Sequence, residues 1–354
     1  MRKLVIPVFI PHLGCPHTCA FCNQKKIAGN YQSPTGIQIQ ELVELYTSTV
    51  KNKELFVELA FYGGSFTGIP SFLQEELLQK AWELKGHNKI QGIRVSTRPD
   101  YINNAVLERL NRYTVDTVEL GVQSLDPEVL ERSQRCHSVE DVEIALKLLR
   151  TSNIKVGIQL MPGLPGDTFA NITKTTHKVV ELKPDFVRIY PTLVIKDTQL
   201  AEWFEKGLYT PLSLEEAIEI SAQMAIVFER ANIPIIRIGL QAQENLSLGR
   251  DLVAGPYHPA FGELVKARVF RKQLETLFFH VNKLPLISPV TVYCHPQEIS
   301  QVKGQNKDNI TYFKERYNLD IKVFAEPSLS LGFLRLRDKE NNLITLSRGE
   351  FLKG

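Results

Sequence analysis

The chain repeats one pattern: a short apolar run, a turn rich in Gly or Pro, and an amphipathic stretch with helical period. Apolar runs occupy residues 4–10, 55–62, 93–96, 117–121, 155–161 and 186–190. Candidate helices occupy residues 37–51, 72–85, 104–113, 139–152, 169–182 and 214–231. Buried β-branched strands that alternate with helices predict parallel strands joined by right-handed crossovers. The predicted fold class is α/β, with about six units forming a partial (β/α)6 TIM-like barrel.

Polar or Gly-rich segments follow every predicted strand. In α/β barrels, the loops at the carboxyl ends of the strands build the active site. The segments are Cys15 to Cys22, residues 62–68, Thr97-Arg98-Pro99, Gln123-Ser124, residues 162–166 and Pro191-Thr192. We therefore expect these loops to meet at one mouth of the barrel.

The first loop carries three cysteines in a CxxxCxxC pattern, Cys15, Cys19 and Cys22. A 4Fe-4S cluster takes four ligands, usually thiolates. If only these three residues bind, one iron keeps an open position for a substrate or cofactor. The spacing therefore favours a cluster with one open iron.

Two other uses of these cysteines fit the sequence less well. A structural zinc site has four ligands in two close pairs, and His12 or His17 could supply a fourth, but a second Cys pair is absent from the sequence. A disulfide framework suits small secreted chains, whereas this chain has 354 residues and five cysteines. The remaining thiols, Cys136 and Cys294, lie far from the triplet, and we interpret each as a structural residue, Cys136 as a small buried hydrophobe.

Composition narrows the class of protein. The net charge is only +3, which gives no global basic field that would indicate nucleic-acid binding. No apolar run approaches the ~20 residues of a membrane span, so no membrane partner is expected. The apolar segment at residues 4–10 leaves no room for a targeting peptide, and we expect a cytoplasmic location.

These motifs resemble the radical S-adenosylmethionine (SAM) superfamily, and within it the Elongator catalytic-subunit family of tRNA wobble-uridine modifying enzymes. The resemblance covers residues 1 to about 280. It rests on GCPH at 14–17, FYGGSFT at 61–67, TRPDY at 97–101, VELGVQS at 118–124, LMPGLPG at 160–166, RIYPT at 188–192 and IIRI at 235–238.

The resemblance implies a 4Fe-4S cluster ligated by Cys15, Cys19 and Cys22, and SAM as the cofactor that is cleaved to a 5′-deoxyadenosyl radical. The residues implied to bind SAM are Phe21 on the adenine, Gly63, Gly64 and Ser65 at the methionine amino group, Gln123 at the ribose hydroxyls, and Arg135 at the methionine carboxylate. Ser138 and Asp141 resemble a helix N-terminus that fixes Arg135. Without the resemblance, Arg135 is best interpreted as a solvated surface cation.

Two positions depart from the family pattern. Relatives often carry a glutamate two residues before the Arg-Pro pair, where this chain has Ser96. At the ribose-facing end of strand five, where some relatives have Asp or His, this chain has Gln159. Both changes keep a polar side chain, so we expect a SAM site whose details differ.

The C-terminal part departs further from the family. Elongator-type enzymes continue into an acetyltransferase domain, and too few residues follow position 281 to form one. We expect three parts: a barrel at 1–240, a helical extension at 241–283 and a small α/β domain at 284–354. The last part resembles a KH RNA-binding module, with a GXXG-like loop at Gly304-Gln-Asn-Lys307 whose second glycine is replaced by lysine.

The sequence thus predicts a radical-SAM enzyme whose best substrate is a tRNA base. The expected partners are an electron donor of the ferredoxin or flavodoxin type, tRNA, and a separate protein that supplies the missing substrate-activating domain. Two alternatives stay open: a radical-SAM oxidoreductase acting on a porphyrinogen-like small molecule, and a non-catalytic zinc or nucleic-acid binding protein.

Overall fold

A computed structural model describes residues 3–10, 15, 18–23, 33–49, 55–240, 250–281, 288–337 and 343–353. Contacts group the chain into a first unit, Met1–Leu212 with Ala242–Gly255, and a second unit, Ser213–Gln241 with Pro256–Gly354. The three-part division at 240 and 283 stays a prediction. No helix among the described residues is both long enough and apolar enough to cross a membrane.

The first unit contains six parallel strands in sequential order. They are β1 (Lys3–Ile10), β2 (Phe56–Gly63), β3 (Gly92–Thr97), β4 (Thr117–Gln123), β5 (Lys155–Leu160) and β6 (Phe186–Ile189). Each lies within two residues of its predicted bounds at either end, because buried parallel strands are marked by unbroken apolar runs. The predicted partial barrel is confirmed.

Helices connect these strands, and one more follows β6. They are α1 (Gly36–Ser48), α2 (Ser71–Gly86), α3 (Asn104–Arg112), α4 (Pro127–Arg132), α5 (Val139–Arg150), α6 (Phe169–Leu182) and α7 (Gln199–Glu205). Side-chain caps mark most N-termini, among them the Ser138–Asp141 capping box that begins α5. Sequence analysis did not predict the short helices α4 and α7, or the 3-10 turns Phe66–Gly68 and Pro99–Tyr101.

The remaining elements of the two units are shorter. In the second unit, β8 spans Ile235–Ile238. In the first unit, β7 (Val194–Ile195) pairs with β9 (Leu252–Ala254) as a two-stranded antiparallel ribbon. The second unit begins with α8 (Leu214–Arg230), whose predicted Ser213–Glu216 capping box is present, and continues with α9 (Phe261–Glu275) and a π-helical turn, Thr276–Val281.

The second unit ends in a four-stranded mixed sheet with three helices. In chain order these elements are β10 (Val290–Cys294), α10 (Ile299–Lys303), α11 (Asp308–Tyr317), β11 (Ile321–Ala325), β12 (Leu334–Arg337), β13 (Leu343–Leu346) and α12 (Arg348–Phe351). The strand order in the sheet is β11-β10-β12-β13. Cys294 is fully buried in its core, and burial raises the pKa of its thiol to about 11. The interpretation of Cys294 as structural is consistent with this burial.

Candidate active site

The cysteine loop follows β1 and is held by backbone hydrogen bonds on both sides. The Ala20 N–H donates to the Ser133 carbonyl (3.0 Å), and the Leu200 N–H donates to the Ala20 carbonyl (2.8 Å). The Cys22 N–H donates to the Cys19 carbonyl (3.0 Å), which closes a turn between these two thiols. The loop is therefore anchored to the end of α4 and the start of α7.

The three thiols of this loop are free of disulfides and differ in burial. Cys19 is 5% exposed, whereas Cys15 and Cys22 are half-buried. The Cys15 Sγ lies 3.3 Å from the Ser65 Oγ. Among the described residues, no three His, Cys, Asp or Glu side chains are gathered as a preformed metal site. The ligand set Cys15, Cys19 and Cys22 therefore stays a prediction, supported by its soft thiolate donors.

Phe21 lines the apolar side of the loop. It is 9% exposed and packs, together with Cys19, in a cluster that includes Val129, Leu164 and Tyr209. Burial of these side chains stabilises the loop against the segments that surround it. The predicted contact of Phe21 with adenine is not tested by this packing.

Gly63 brings the second loop close to the first. Its φ is +106°, and a Cβ built there would lie 2.6 Å from the Ile10 carbonyl oxygen. Only glycine accommodates both the left-handed conformation and this approach of β2 to the end of β1. Gly64 and Ser65 follow as buried residues, so the backbone of residues 63–65 lies beside the cysteine loop, as the Ser65–Cys15 contact demonstrates.

Arg135 reaches the cysteine loop from the segment after α4. Its Nη1 donates to the Cys19 Sγ (3.4 Å), and its Nη2 donates to the Gly121 carbonyl. Arg135 is 8% exposed, and its Nε is buried without a hydrogen-bond partner. The interpretation of Arg135 as a solvated surface cation is wrong, because the turn before α5 directs the guanidinium into the barrel mouth.

The same turn sets the neighbours of Arg135. Gln134 has a φ of +55°, and Cys136 is exposed, with its Sγ 3.5 Å from the Gln134 carbonyl. The expectation of a buried Cys136 is therefore wrong, since the turn directs that side chain outward. His137 is 5% exposed and lacks a hydrogen bond of ordinary geometry at either ring nitrogen. Burial, followed by Arg135 and Arg98, lowers the pKa of His137 to about 2, so its ring is neutral.

Arg98 is a second buried guanidinium near the cysteines, and sequence analysis gave it no role. Its residue is 1% exposed, and its Nε and Nη2 each donate to an Asp100 carboxylate oxygen at 2.9 Å. Burial, the largest influence, opposes its charge, but Asp100 and, more weakly, Cys19 and Cys15 together outweigh burial, so the pKa of Arg98 is raised. The Arg98 Nη1 is buried without a partner.

Arg98 and Arg135, which both interact with cysteines of this loop, therefore each keep one buried guanidinium N–H group without a hydrogen-bond partner. A buried unpaired donor costs free energy unless a ligand accepts from it. A thiolate-bound cluster and a carboxylate are both anionic acceptors. The residues present thus fit an anionic group at this position.

Gln123 lies at the end of β4 in an unusual conformation. Its φ is +71°, and the β4–β5 register shifts between Gly121 and Gln123. Such a bulge re-aims the side chain at the strand end. The Gln159 Nε2 lies 3.5 Å from the Gln123 Oε1, which pairs the two amides at one edge of the mouth. Their predicted contact with ribose stays a prediction.

A charged network fills the interior of the barrel between β2, β3, β4 and β6. Arg94 donates to Glu58 (2.5 Å) and to Glu119, and Arg188 donates to the same Glu119 oxygen (2.9 Å). Arg188 also donates to the hydroxyl of Tyr62 (2.8 Å), whose pKa burial and Glu119 raise to about 12. Two arginines against two carboxylates make the network electrically balanced. The sequence motifs did not predict this network, although each of its charges interrupts an apolar run.

A separate cavity of about 410 Å³ lies against the loop after β5. Asp167 lines it, with its Oδ2 accepting from the Gly163 N–H (3.0 Å) and its Oδ1 buried without a partner. Burial raises the pKa of Asp167 to about 7. Trp203 and Tyr209 form the aromatic side of the cavity, and the Tyr209 hydroxyl donates to the Gly163 carbonyl (2.6 Å).

Family models match most of the chain. The radical SAM superfamily matches residues 9–179, and the radical SAM C-terminal domain matches residues 184–271. The first range contains the cysteine loop, Gly63, Gln123, Arg135 and the interior charges Glu58, Arg94 and Glu119, whereas Arg188 lies in the second range.

Curated relatives match the same part of the chain. The tRNA uridine(34) acetyltransferase of Methanocaldococcus jannaschii is 39% identical over 159 residues, which is 44% of this chain and 29% of that protein. An uncharacterised protein of the same organism is 30% identical over 226 residues, 61% of this chain and 69% of that protein. Human Elongator complex protein 3 is 28% identical over 207 residues, 53% of this chain and 37% of that protein. The match thus spans less than a third of the acetyltransferase's length.

A solved structure of a relative has a similar fold. The archaeal Methanocaldococcus infernus Elp3 with an N-terminal deletion superposes with a TM-score of 0.61 at 26% identity, covering 77% of this chain and 64% of that chain. The predicted resemblance is confirmed by sequence and by fold.

Proposed function

Because this chain belongs to the radical SAM superfamily and is an enzyme, we propose that it uses a 4Fe-4S cluster to cleave SAM reductively and so modify a tRNA base. The observation that carries the proposal is the three-cysteine loop, which holds no disulfide and interacts with two buried arginines that each keep an unpaired N–H group. Superfamily membership also argues against the alternative of a non-catalytic zinc protein.

Cys15, Cys19 and Cys22 are the residues that would hold the cluster. When bound, the cluster supplies the electron and SAM supplies the radical that abstracts hydrogen from the substrate. The positive charges of Arg98 and Arg135 offset the negative charge of the thiolates at low exposure to water. Hydrogen bonds to the sulfurs, such as that from Arg135 to Cys19, tune the potential of such centres.

The loops beside the cysteines offer the polar groups that SAM requires. The unpaired Nε of Arg135 suits a carboxylate, and the backbone carbonyls of Gly63 and Gly64, with the Ser65 hydroxyl, suit an ammonium group. The paired amides of Gln123 and Gln159 both donate and accept, as ribose hydroxyls require. These roles support binding and orientation of the cofactor rather than proton transfer.

The choice of tRNA as substrate rests on the relatives. Those that match over the barrel include enzymes named for tRNA uridine(34) and the Elongator proteins. An electron donor of the ferredoxin or flavodoxin type and a separate substrate-activating protein complete the proposal. The alternative of a porphyrinogen-like substrate rests on the spacing of Gln123 and Arg135 alone and stays open.

The test begins with protein reconstituted anaerobically with iron and sulfide, then supplied with a reductant and SAM. We expect 5′-deoxyadenosine from the wild type, and none above background from Cys19→Ala, whose bound iron also falls. Cys136→Ala is the matched control, because that thiol is exposed and outside the triplet. Mass spectrometry of nucleosides from tRNA incubated with the wild type then identifies the modified base.

Two results would contradict the proposal. Equal 5′-deoxyadenosine from Cys19→Ala and wild type would remove the ligand assignment. A wild-type protein that takes up zinc and no iron–sulfur cluster would remove the radical chemistry altogether.

A further inference from the structure

The sheet of the second unit has two unlike faces. Along β10, Val290, Val292 and Cys294 are buried in the core, whereas Thr291 and Tyr293 lie on the opposite face. The buried face packs with residues of α10 and α11. Because side chains alternate along a strand, the opposite face of all four strands forms one open surface.

Strand register places the outward residues of this surface in two rows. One row, across β11, β10, β12 and β13, is Lys322, Thr291, Arg337 and Leu343. The second row, in the same order, is Phe324, Tyr293, Arg335 and Thr345. We call these eight residues the open sheet face.

Two aromatic rings lie side by side on the open sheet face. The ring centroids of Tyr293 and Phe324 are 6.1 Å apart, with planes inclined by 33°. Phe324 is 50% exposed, so its ring is accessible from solvent. The Arg337 guanidinium lies 5.2 Å from the Tyr293 ring centroid and so holds a cation beside the aromatic pair.

Positive charge surrounds these rings. Lys322, Arg335 and Arg337 lie on the open sheet face, and in the described part of the chain Arg335 pairs with Glu326 while Asp320 lies near Lys322. Asp320, just before β11, is bound by Lys314 (2.9 Å). The surface therefore presents aromatic rings within a basic surround, although the chain as a whole is nearly neutral.

We propose that the open sheet face binds single-stranded RNA. Unstacked bases stack on exposed aromatic rings of a sheet, and flanking cations pair with the phosphates. The hydroxyls of Thr291 and Thr345 on the same face suit the 2′-hydroxyl groups that distinguish RNA from DNA. This inference deepens the proposed function. The identification of the RNA as a tRNA rests on that function, whereas the binding of single-stranded RNA to the open sheet face does not.

The open sheet face is distinct from the GXXG-like loop that the sequence pointed to. That loop joins α10 to α11, the helices that pack on the buried face. It forms a tight turn, with φ of +51° at Asn306 and +64° at Lys307. The two surfaces can therefore be separated by substitution.

The test is fluorescence anisotropy with a labelled tRNA anticodon stem-loop and with a labelled unstructured RNA. Tyr293→Ala and Phe324→Ala should each weaken binding by about 5- to 150-fold, the value of one lost stack. Arg337→Gln should lower the slope of log affinity against log salt by about 1. Phe279→Ala, an aromatic of the same unit with 45% exposure, is the matched control and should bind like wild type.

Several outcomes would overturn the inference. Wild-type affinity in both Tyr293→Ala and Phe324→Ala, with loss only in Lys307→Glu, would assign RNA binding to the loop. Absence of RNA binding by the wild type, with a change of oligomeric state in Phe324→Ala, would assign the face to a protein partner. Circular dichroism of each variant checks that the sheet is intact.

The same preparation distinguishes this inference from the proposed function. If Tyr293→Ala loses RNA and the wild type makes no 5′-deoxyadenosine under any condition, the RNA face stands and the radical chemistry fails. If the wild type makes 5′-deoxyadenosine but neither aromatic substitution changes the RNA affinity, the proposed radical chemistry is supported and RNA binding by the open sheet face is refuted.

Discussion

The charged network inside the barrel allows a quantitative prediction for Glu119. Its carboxylate accepts from Arg94 and from Arg188, and its side chain is 3% exposed. In Glu119→Gln, both arginines remain with Glu58 as the only carboxylate of the network, which leaves one buried positive charge uncompensated. Removing one partner of a buried ion pair costs about 3–5 kcal/mol. We expect Glu119→Gln to lower the free energy of unfolding by that amount, a large part of the ~5–15 kcal/mol available.

Urea denaturation followed by circular dichroism measures this loss. Glu83→Gln is the control, because Glu83 pairs with Lys80 at 3.9 Å on the surface with 44% exposure and should lose about 0–1 kcal/mol. The double variant Glu119→Gln/Arg188→Met restores electrical balance between Arg94 and Glu58 and should recover much of the loss. A Glu119→Gln midpoint equal to that of Glu83→Gln, or a double variant less stable than the single one, would refute the reasoning.

Two further predictions concern the loops. Burial gives the carboxyl of Asp167 a pKa of about 7 in the folded protein, against an ordinary value of 3.8. The folded state therefore binds this proton more tightly than the unfolded chain does. The stability that the protonated carboxyl contributes is fully present below pH 3.8 and is lost as the pH rises from there to about 7. Between about pH 5 and about pH 8, the urea midpoint should therefore fall more in wild type than in Asp167→Asn. An equal fall in the two proteins would contradict this assignment. Gly63→Ala should destabilise the first unit by about 1–3 kcal/mol, because its φ of +106° and the Ile10 oxygen exclude a Cβ. Gly86→Ala, where a Cβ meets nothing within 4 Å, should be neutral or stabilising, and equal thermal shifts in the two variants would argue against the steric account.

The strands and long helices were predictable because their signals are local. An unbroken apolar run marks each buried parallel strand, and helical period with a capping box marks α5 and α8. The predicted Phe169–Leu182 helix matches α6 at both ends. Short elements such as α7 have too few residues to display a period, and they were missed.

The candidate site was predictable only in part. Motif resemblance indicated Cys19 and Arg135, and the structure brings these two side chains into contact. The burial of Arg98 and His137 carries no local signature, because their environment is made by segments far apart in sequence. A charged residue inside an apolar run, such as Glu119, was the available signal, and it indicates an interior partner rather than an error in the strand prediction.

The neutral His137 has a consequence for enzyme kinetics. An inflection of rate near neutral pH is commonly attributed to a histidine, yet here the buried ring stays uncharged down to about pH 2 while Asp167 titrates near 7. Imidazole and carboxyl groups differ in their heats of ionisation. The change with temperature in the pH of such an inflection therefore identifies which kind of group titrates. In this molecule, an inflection that barely moves on warming points to a carboxyl group, and one that moves strongly points to a histidine other than His137.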